Sequence, residues 1–225
     1  MPRLLSTALG LVAVAALAFA AAPAGAQGNP KENAKDARIL DLQARADVLL
    51  LVHPKLVFNT AGTFTGDLIA EAATLGLGDF TGDGLGAADA ICQDEAEDAG
   101  LPLEFKAWLL TSQVVDISGR LTQNAFGYAL VDETPIADDF ADLIDGDGIT
   151  NPIDLDAAGN PVAASNVWTN VKSNNGGSDT ADCFDWSSSS IQLGRKGRND
   201  RFDTNWTQSG TDGCEATRPL YCFQQ

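Results

Sequence analysis

The spacing of apolar positions predicts one amphipathic helix near the amino terminus, followed by a series of short strands. In residues 31–51, Ile39, Leu42 and Ala46 recur at helical spacing. This pattern predicts a short helix that packs as an arm on a main domain. The run KLVFN that follows, with Val57 and Phe58 adjacent, is typical of a strand closed by a turn rich in Thr and Gly.

The chain is organised around a central unit at residues 86–110, which read GAADAICQDEAEDAGLPLEFKAWLL. The pattern predicts a short helix that carries Cys92 and turns through Gly100 into an apolar strand. Residues 106–112 are predicted as a half-buried strand, with Trp108 as its core anchor.

After this unit a loop is expected through Arg120, and the run YALVD then predicts a strand with Tyr128 and Leu130 on one face. Three later segments each carry a tryptophan. We expect Trp168 and Trp186 to be core anchors, with stacking on a ligand as the alternative. The triplet NWT at Asn205 fits a short and common glycosylation pattern.

The 225 residues are enough for one main domain. Residues 4–26 read LLSTALGLVAVAALAFAAAPAGA after Arg3, the pattern of a removable secretory signal. A retained membrane anchor is the alternative, although the apolar run is short and is broken by Pro23. We therefore expect a signal peptide at 1–26, a helical arm at 27–55 and a domain at 56–225.

The four cysteines all follow the predicted signal, and an even count in an oxidising compartment favours disulfides over metal thiolates. They are Cys92, Cys183, Cys214 and Cys222. Four cysteines allow three pairings, and their spacing alone does not choose among them.

The formal charge is −17, with 31 acidic residues. This balance argues against a nucleic-acid partner, because backbone phosphates would be repelled. It favours solubility, cation binding or a basic partner.

Two acidic segments are candidates for calcium. Asp79, Thr81, Asp83 and Gly84 resemble the first half of an EF-hand loop, but Ala90 stands where the bidentate Glu belongs. We therefore predict a turn in which an Asp starts the next helix. The second segment carries closely spaced oxygen donors that form either a calcium site or a solvated acidic loop: Asp145, Asp147, Asn151, Asp154 and Asp156.

No pattern indicates catalysis. The chain has no GxSxG, no HExxH and no cysteine expected to be free, and its one histidine, His53, stands apart from any evident partner. Paired carboxylates are abundant, but abundance in an acidic chain is weak support for a glycosidase. We expect a protein that is not an enzyme.

Several motifs in order resemble a bacterial exported domain family of unassigned function, over about Val57 to Gln225. They are GAADAICQ, AGLPLEFKAWL, YALVD, DLIDG, NPIDLDAAGNPV, VWTN, CFDWSS, NWT and RPLYCF. The family is similar to the endostatin domain of collagens and, more distantly, to the C-type lectin-like fold; it includes leptospiral endostatin-like surface proteins.

The resemblance implies a compact α+β domain of C-type lectin-like (endostatin-like) fold, with a twisted antiparallel sheet, few helices and long loops. It also favours the nested pairing of Cys92 with Cys222 and Cys183 with Cys214. In lectin-like relatives the cation and sugar site lies in the long loops, where Asp145 to Asp156 fall here. The Glu-Pro-Asn and Trp-Asn-Asp triplets of true lectins are missing, as is the amino-terminal histidine cluster with which endostatin holds zinc.

The expected function is an exported, non-enzymatic binding module that recognises an extracellular protein first and a glycan second, because the leptospiral members attach to host matrix and serum proteins. The alternatives are a structural cell-envelope protein without a specific ligand and a calcium-dependent carbohydrate-binding lectin.

Overall fold

The computed structural model describes residue 35 and residues 38–41, 53–101 and 103–225. The chain divides into two units, Met1–Asp47 and Val48–Gln225. In the first unit, residues 35 and 38–41 are helical and exposed. The predicted signal peptide and the rest of the predicted helical arm up to residue 52 lie outside the described residues. Among the described residues, no helix combines the length and apolar character needed to cross a membrane.

The second unit is an α+β domain with few helices and two sheets. The elements are β1 Lys55–Asn59, α1 Leu68–Leu75, α2 Gly84–Asp98, β2 Phe105–Ala107, α3 Ile117–Arg120, β3 Tyr128–Leu130, β4 Pro135–Ala137, β5 Asn166–Trp168, β6 Leu193–Arg198, β7 Gly210–Gly213 and β8 Tyr221–Gln224. The larger sheet has five strands in the order β2-β8-β1-β3-β4, and the smaller has the order β5-β6-β7. Two 3-10 turns lie at Asp142–Ile144 and Thr204–Trp206, and a left-handed turn lies at Cys183–Trp186.

The larger sheet is mixed, which corrects the expectation of an antiparallel sheet. β1 pairs with β3 in parallel, with Val57 opposite Leu130, while its pairing with β8 is antiparallel. A parallel pair requires a crossover of a dozen or more residues. Here the crossover is long, because α1, α2, β2 and α3 all lie between β1 and β3.

The predicted strand at residues 106–112 is also shorter than expected. β2 ends at Ala107. The backbone N–H of Trp108 still donates to Tyr221 on β8, in the larger sheet, whereas that of Leu110 donates to Thr169, next to β5 of the smaller sheet. The apolar run therefore connects the two sheets instead of continuing along one.

The helix α2 begins and ends as its sequence predicts. The Asp83 carboxylate accepts a hydrogen bond from the backbone N–H of Gly86 at 2.8 Å, which caps the first turn. Gly100, with φ of 75°, takes the left-handed conformation just past the last turn. Buried side chains on one face of the helix include Ile91 and Cys92.

Strand alternation divides the core into two clusters, one on each face of the larger sheet. Phe58 belongs to one cluster and its neighbour Val57 to the other, as the period of two requires. All four tryptophans are fully buried, including Trp168 and Trp186, so their prediction as core anchors is confirmed. Tyr128 and Leu130 lie in the same cluster, as predicted.

Two disulfides bind distant parts of the domain. One joins Cys92 on α2 to Cys222 on β8, and the other joins Cys183 to Cys214. The shorter loop lies inside the longer one, so the pairing is nested.

Candidate functional site

The left-handed turn Cys183–Trp186 is the most unusual backbone in the domain. Its four residues have φ of 52°, 56°, 53° and 61°, and none is glycine. The left-handed helical conformation costs such residues roughly 1–2 kcal/mol each, because Cβ approaches the following carbonyl oxygen. Conformations of this kind persist only where surrounding structure fixes them, and they cluster at functional sites.

Four interactions fix the turn. The Cys183–Cys214 disulfide holds its first residue. The fully buried Trp186 donates from its indole Nε1 to the carbonyl oxygen of Leu110 at 2.7 Å. Within the turn, the backbone N–H of Trp186 donates to the carbonyl of Asp182, and that of Ser187 donates to Cys183. Both ends are anchored, and Phe184 between them is exposed.

The helix α2 begins directly against this turn. A Cβ placed on Gly84 would lie 2.1 Å from the carbonyl oxygen of Asp185 and 2.8 Å from Cβ of Trp186. The glycine that resembles an EF-hand position is therefore required for this contact between the helix and the turn.

We expect Gly84→Ala to lower the free energy of unfolding by about 2 kcal/mol, since either the helix or the turn must move. Gly119→Ala is the matched control: Gly119 has a negative φ and open space around its Cβ position, so its replacement should be neutral or slightly stabilising. Urea unfolding of both variants measures the difference. Equal losses in the two variants would contradict the contact.

A pair of carboxyl groups flanks the exposed part of the turn. Asp182 is 5% exposed, and its Oδ2 accepts the backbone N–H of Ser112 at 2.7 Å. Oδ1 of Asp185 is buried without a hydrogen-bond partner. Burial raises the pKa of Asp185, and the neighbouring Asp182 carboxylate raises it further, while the side chains of Thr111 and Ser112 oppose the shift.

Exposed apolar side chains lie on the turn itself, on the loop that Asp182 contacts and on the segment that follows the turn. Phe184, at the middle of the turn, is 65% exposed. The loop 111–116, which contacts Asp182 through Ser112, carries Val114 and Val115, both exposed. The segment 187–193 follows the turn and carries exposed apolar side chains at Ile191 and Leu193.

We refer to three segments together as the three-loop surface: loop 111–116, the turn Cys183–Trp186 with Asp182, and segment 187–193. Exposed apolar groups bordered by polar ones mark sites of interaction. The surface has the chemistry to bind a partner that presents an apolar group next to a positive charge.

The sequence did not predict this surface. The segment DCFDW shows two acids three residues apart, but Cys, Phe and Trp carry no local preference for positive φ. The turn depends on Leu110, Gly84 and Cys214, which are distant in sequence. The only feature of the sequence that could have indicated this surface was a pair of carboxyl groups beside an aromatic residue on a loop.

The structure places the predicted calcium ligands in separate local turns and contacts. Oδ1 of Asp145 accepts the backbone N–H of Asp147 at 2.8 Å, and Nδ2 of Asn151 donates to the carbonyl of Pro135 at 2.8 Å. The carboxylate of Asp156 accepts hydrogen bonds from the backbone and side chain of Asn160, and Asp154 is partly buried. In the part of the chain that the structure describes, no three His, Cys, Asp or Glu side chains form a group that could hold a metal ion. Calcium binding stays a prediction.

The other candidates have structural roles in this domain. Asp83 caps α2, as predicted, while Oδ1 of Asp79 accepts hydrogen bonds from the backbone and hydroxyl of Thr81. In the NWT triplet, the buried hydroxyl of Thr207 accepts from the indole of Trp108 at 2.8 Å. His53 is exposed.

Comparison with protein-family models and with curated protein sequences gives no match. The chemistry of the domain must therefore be inferred from its own residues.

Proposed function

We propose that the chain is an exported binding module of C-type lectin-like (endostatin-like) fold, and that its three-loop surface attaches to a basic segment of an extracellular protein. The observation that carries the proposal is the left-handed turn, which holds an exposed Phe184 beside the carboxyl groups of Asp182 and Asp185.

Several features support the fold and the compartment. The domain is α+β with few helices, and its first and last strands, β1 and β8, lie side by side. The disulfide between Cys92 and Cys222 attaches α2 to that last strand. Two disulfides are typical of proteins in oxidising compartments, and residues 4–26 have the pattern of an export signal.

The charge of the domain supports a basic partner. Residues 53–225 carry 27 acidic and nine basic side chains. Seven of those nine bases form salt bridges with acidic neighbours, so the remaining field is negative. Such a field accelerates encounter with positively charged partners. Phe184 would then supply the apolar contact, since buried aromatic anchors dominate binding energies.

We expect Phe184→Ser to weaken attachment by about thirtyfold or more, the loss typical of a central aromatic anchor. The measurement is binding of the full-length protein to immobilised laminin and fibronectin and to a glycan array. Phe126→Ser is the matched control, because Phe126 is 53% exposed and lies outside the three-loop surface.

The proposal requires two further results. Asp185→Asn should also weaken attachment, because it removes a negative charge beside Phe184 while keeping the shape of the side chain. Neither variant should have a lower melting temperature than the unmodified protein. Any of three results would contradict a protein-binding surface at this turn. The protein attaches to no protein in the panel, or it attaches to glycans alone, or the Phe184 and Phe126 variants lose equal affinity.

A further inference from the structure

A basic pocket lies on the smaller sheet, in contrast with the acidic character of the domain. Its volume is about 340 Å³. Three of the nine basic residues of the domain line it, together with two amides and a hydroxyl: Lys196, Arg198, Arg201, Asn166, Asn205 and Ser209.

The strand register brings these side chains together. Lys196 and Arg198 are two residues apart on β6 and therefore project from the same face. Asn166 on β5 lies opposite Arg198. The backbone N–H of Ser209 donates to the carbonyl of Lys196 at 2.8 Å, which places Ser209 at the other edge of β6.

Carboxylates hold each base in position without using all of its donors. Asp200 accepts from Nε and Nη2 of Arg198 at 2.9 and 2.7 Å, and Asp203 accepts from Nη2 of Arg201 at 2.5 Å. Among the described residues, Nη1 of Arg198 and both Nε and Nη1 of Arg201 have no hydrogen-bond partner. Guanidinium donors in this fork geometry match the oxygens of carboxylate, sulfate and phosphate groups.

The third base, Lys196, is also held by a carboxylate. Nζ of Lys196 lies 3.1 Å from Oδ1 of Asp212, whose Oδ2 accepts from Arg218 at 2.8 Å. Burial opposes ionisation of Asp212, but hydrogen bonds from Arg218 and Lys196 outweigh it and lower its pKa. Hydrogen bonds from their arginines also lower the pKa of Asp200 and Asp203. The basic residues of the pocket, together with Arg218 and the three carboxylates that hold them, thus carry four positive and three negative charges at neutral pH.

We propose that this basic pocket binds a small oxyanion: a carboxylate, sulfate or phosphate group on a molecule no larger than a single sugar. A volume of about 340 Å³ is near the lower end of the range for small-molecule sites. A long polyanion is excluded by the surrounding field, because the domain carries 27 acidic side chains against nine basic ones. The pocket is separate from the three-loop surface and does not depend on the function proposed for that surface.

Calorimetric titration of the full-length protein with inorganic sulfate, inorganic phosphate and glucuronate, at constant ionic strength in chloride, tests the proposal and distinguishes the three oxyanions. We expect at least one of them to bind. Arg201→Gln and Arg198→Gln should each weaken this binding about tenfold or more, since each removes charge-assisted hydrogen bonds. Both side chains are nearly half exposed, at 47% and 45%, so the fold should tolerate the change. Lys106→Gln is the control, because Lys106 forms a surface ion pair outside the pocket.

A variant that binds the anion more tightly distinguishes an effect on anion binding from a loss of protein stability. Asp203→Asn keeps a side chain able to cap the following 3-10 turn, but releases Arg201 from its competing carboxylate. We expect the anion to bind several times more tightly to this variant, a result that simple destabilisation does not produce. Any of three results would overturn the proposal. None of the three anions binds, or both arginine variants bind with unchanged affinity, or heparin binds more tightly than the small anions. Arg201→Gln should leave attachment through the three-loop surface unchanged.

Discussion

Replacing both Cys92 and Cys222 by alanine is expected to lower the free energy of unfolding by about 5 kcal/mol. The bridge closes a loop with a sequence separation of 130, and the chain-entropy model assigns roughly that amount to a loop of this length. Typical domains are stable by about 5–15 kcal/mol. The variant should therefore be close to unfolding at physiological temperature.

The second disulfide provides the matched control. Cys183 and Cys214 are separated by 31 residues, for which the same model gives about 4 kcal/mol. Urea unfolding of the two double variants, both under non-reducing conditions, compares them directly. All four cysteines are buried, so the cavities left by alanine are similar and the difference reports loop length. A smaller loss from the outer bridge than from the inner one would contradict the entropic argument.

The features predicted well from sequence are those encoded by neighbouring residues. The strand β1, the helix that carries Cys92 and its start at Asp83 depend on local alternation and on a cap three residues away. Burial of Trp168 and Trp186 follows from their size and apolar character, because a domain this large has a core that must be filled.

Other features depend on partners far along the chain and could not be predicted. The apolar run after β2 does not continue along β8, because the backbone N–H of Leu110 donates to Thr169, next to β5. The parallel pairing of β1 with β3 is a property of the topology and leaves no local signature. The turn at Cys183–Trp186 contradicts the preferences of its own residues, and only the surrounding contacts stabilise it.

Arg120 is the clearest case of a residue whose role the sequence concealed. It was expected in a loop, yet its side chain is 9% exposed at the end of α3. Its Nη1 and Nη2 donate to the carboxylate of Asp89 on α2, at 3.1 and 2.5 Å, and its Nε donates to the carbonyl of Leu109. Asp89 also accepts the backbone N–H of Ala107 at 2.9 Å. One ion pair thus connects α2, α3 and the end of β2.

Arg120→Met is expected to lower the free energy of unfolding by about 3 kcal/mol at pH 7, the loss typical of leaving one charge of a buried pair without its partner. Burial raises the pKa of Asp89, and the Arg120 charge opposes that rise. Without Arg120 the pKa should rise further above its unfolded value. A raised carboxyl pKa stabilises the folded state below the unfolded pKa, and this stabilisation is lost as the pH rises through the folded pKa. The deficit of the variant should therefore shrink as the pH falls towards 4.

Two comparisons distinguish a buried ion pair from a simple loss of packing. Adding Asp89→Asn to Arg120→Met removes both charges, so the double variant should lose less than the two single losses combined, as coupled neighbours do. Lys106→Met breaks the exposed pair with Glu104, at 3.6 Å, and should change stability by less than about 1 kcal/mol. Two results together would contradict the ion pair: losses in the free energy of unfolding at Asp89 and Arg120 that simply add, and a loss in Arg120→Met that is the same at pH 4 and pH 7. Arg120 would then contribute through packing of its side chain, and charge would not connect α2 to α3.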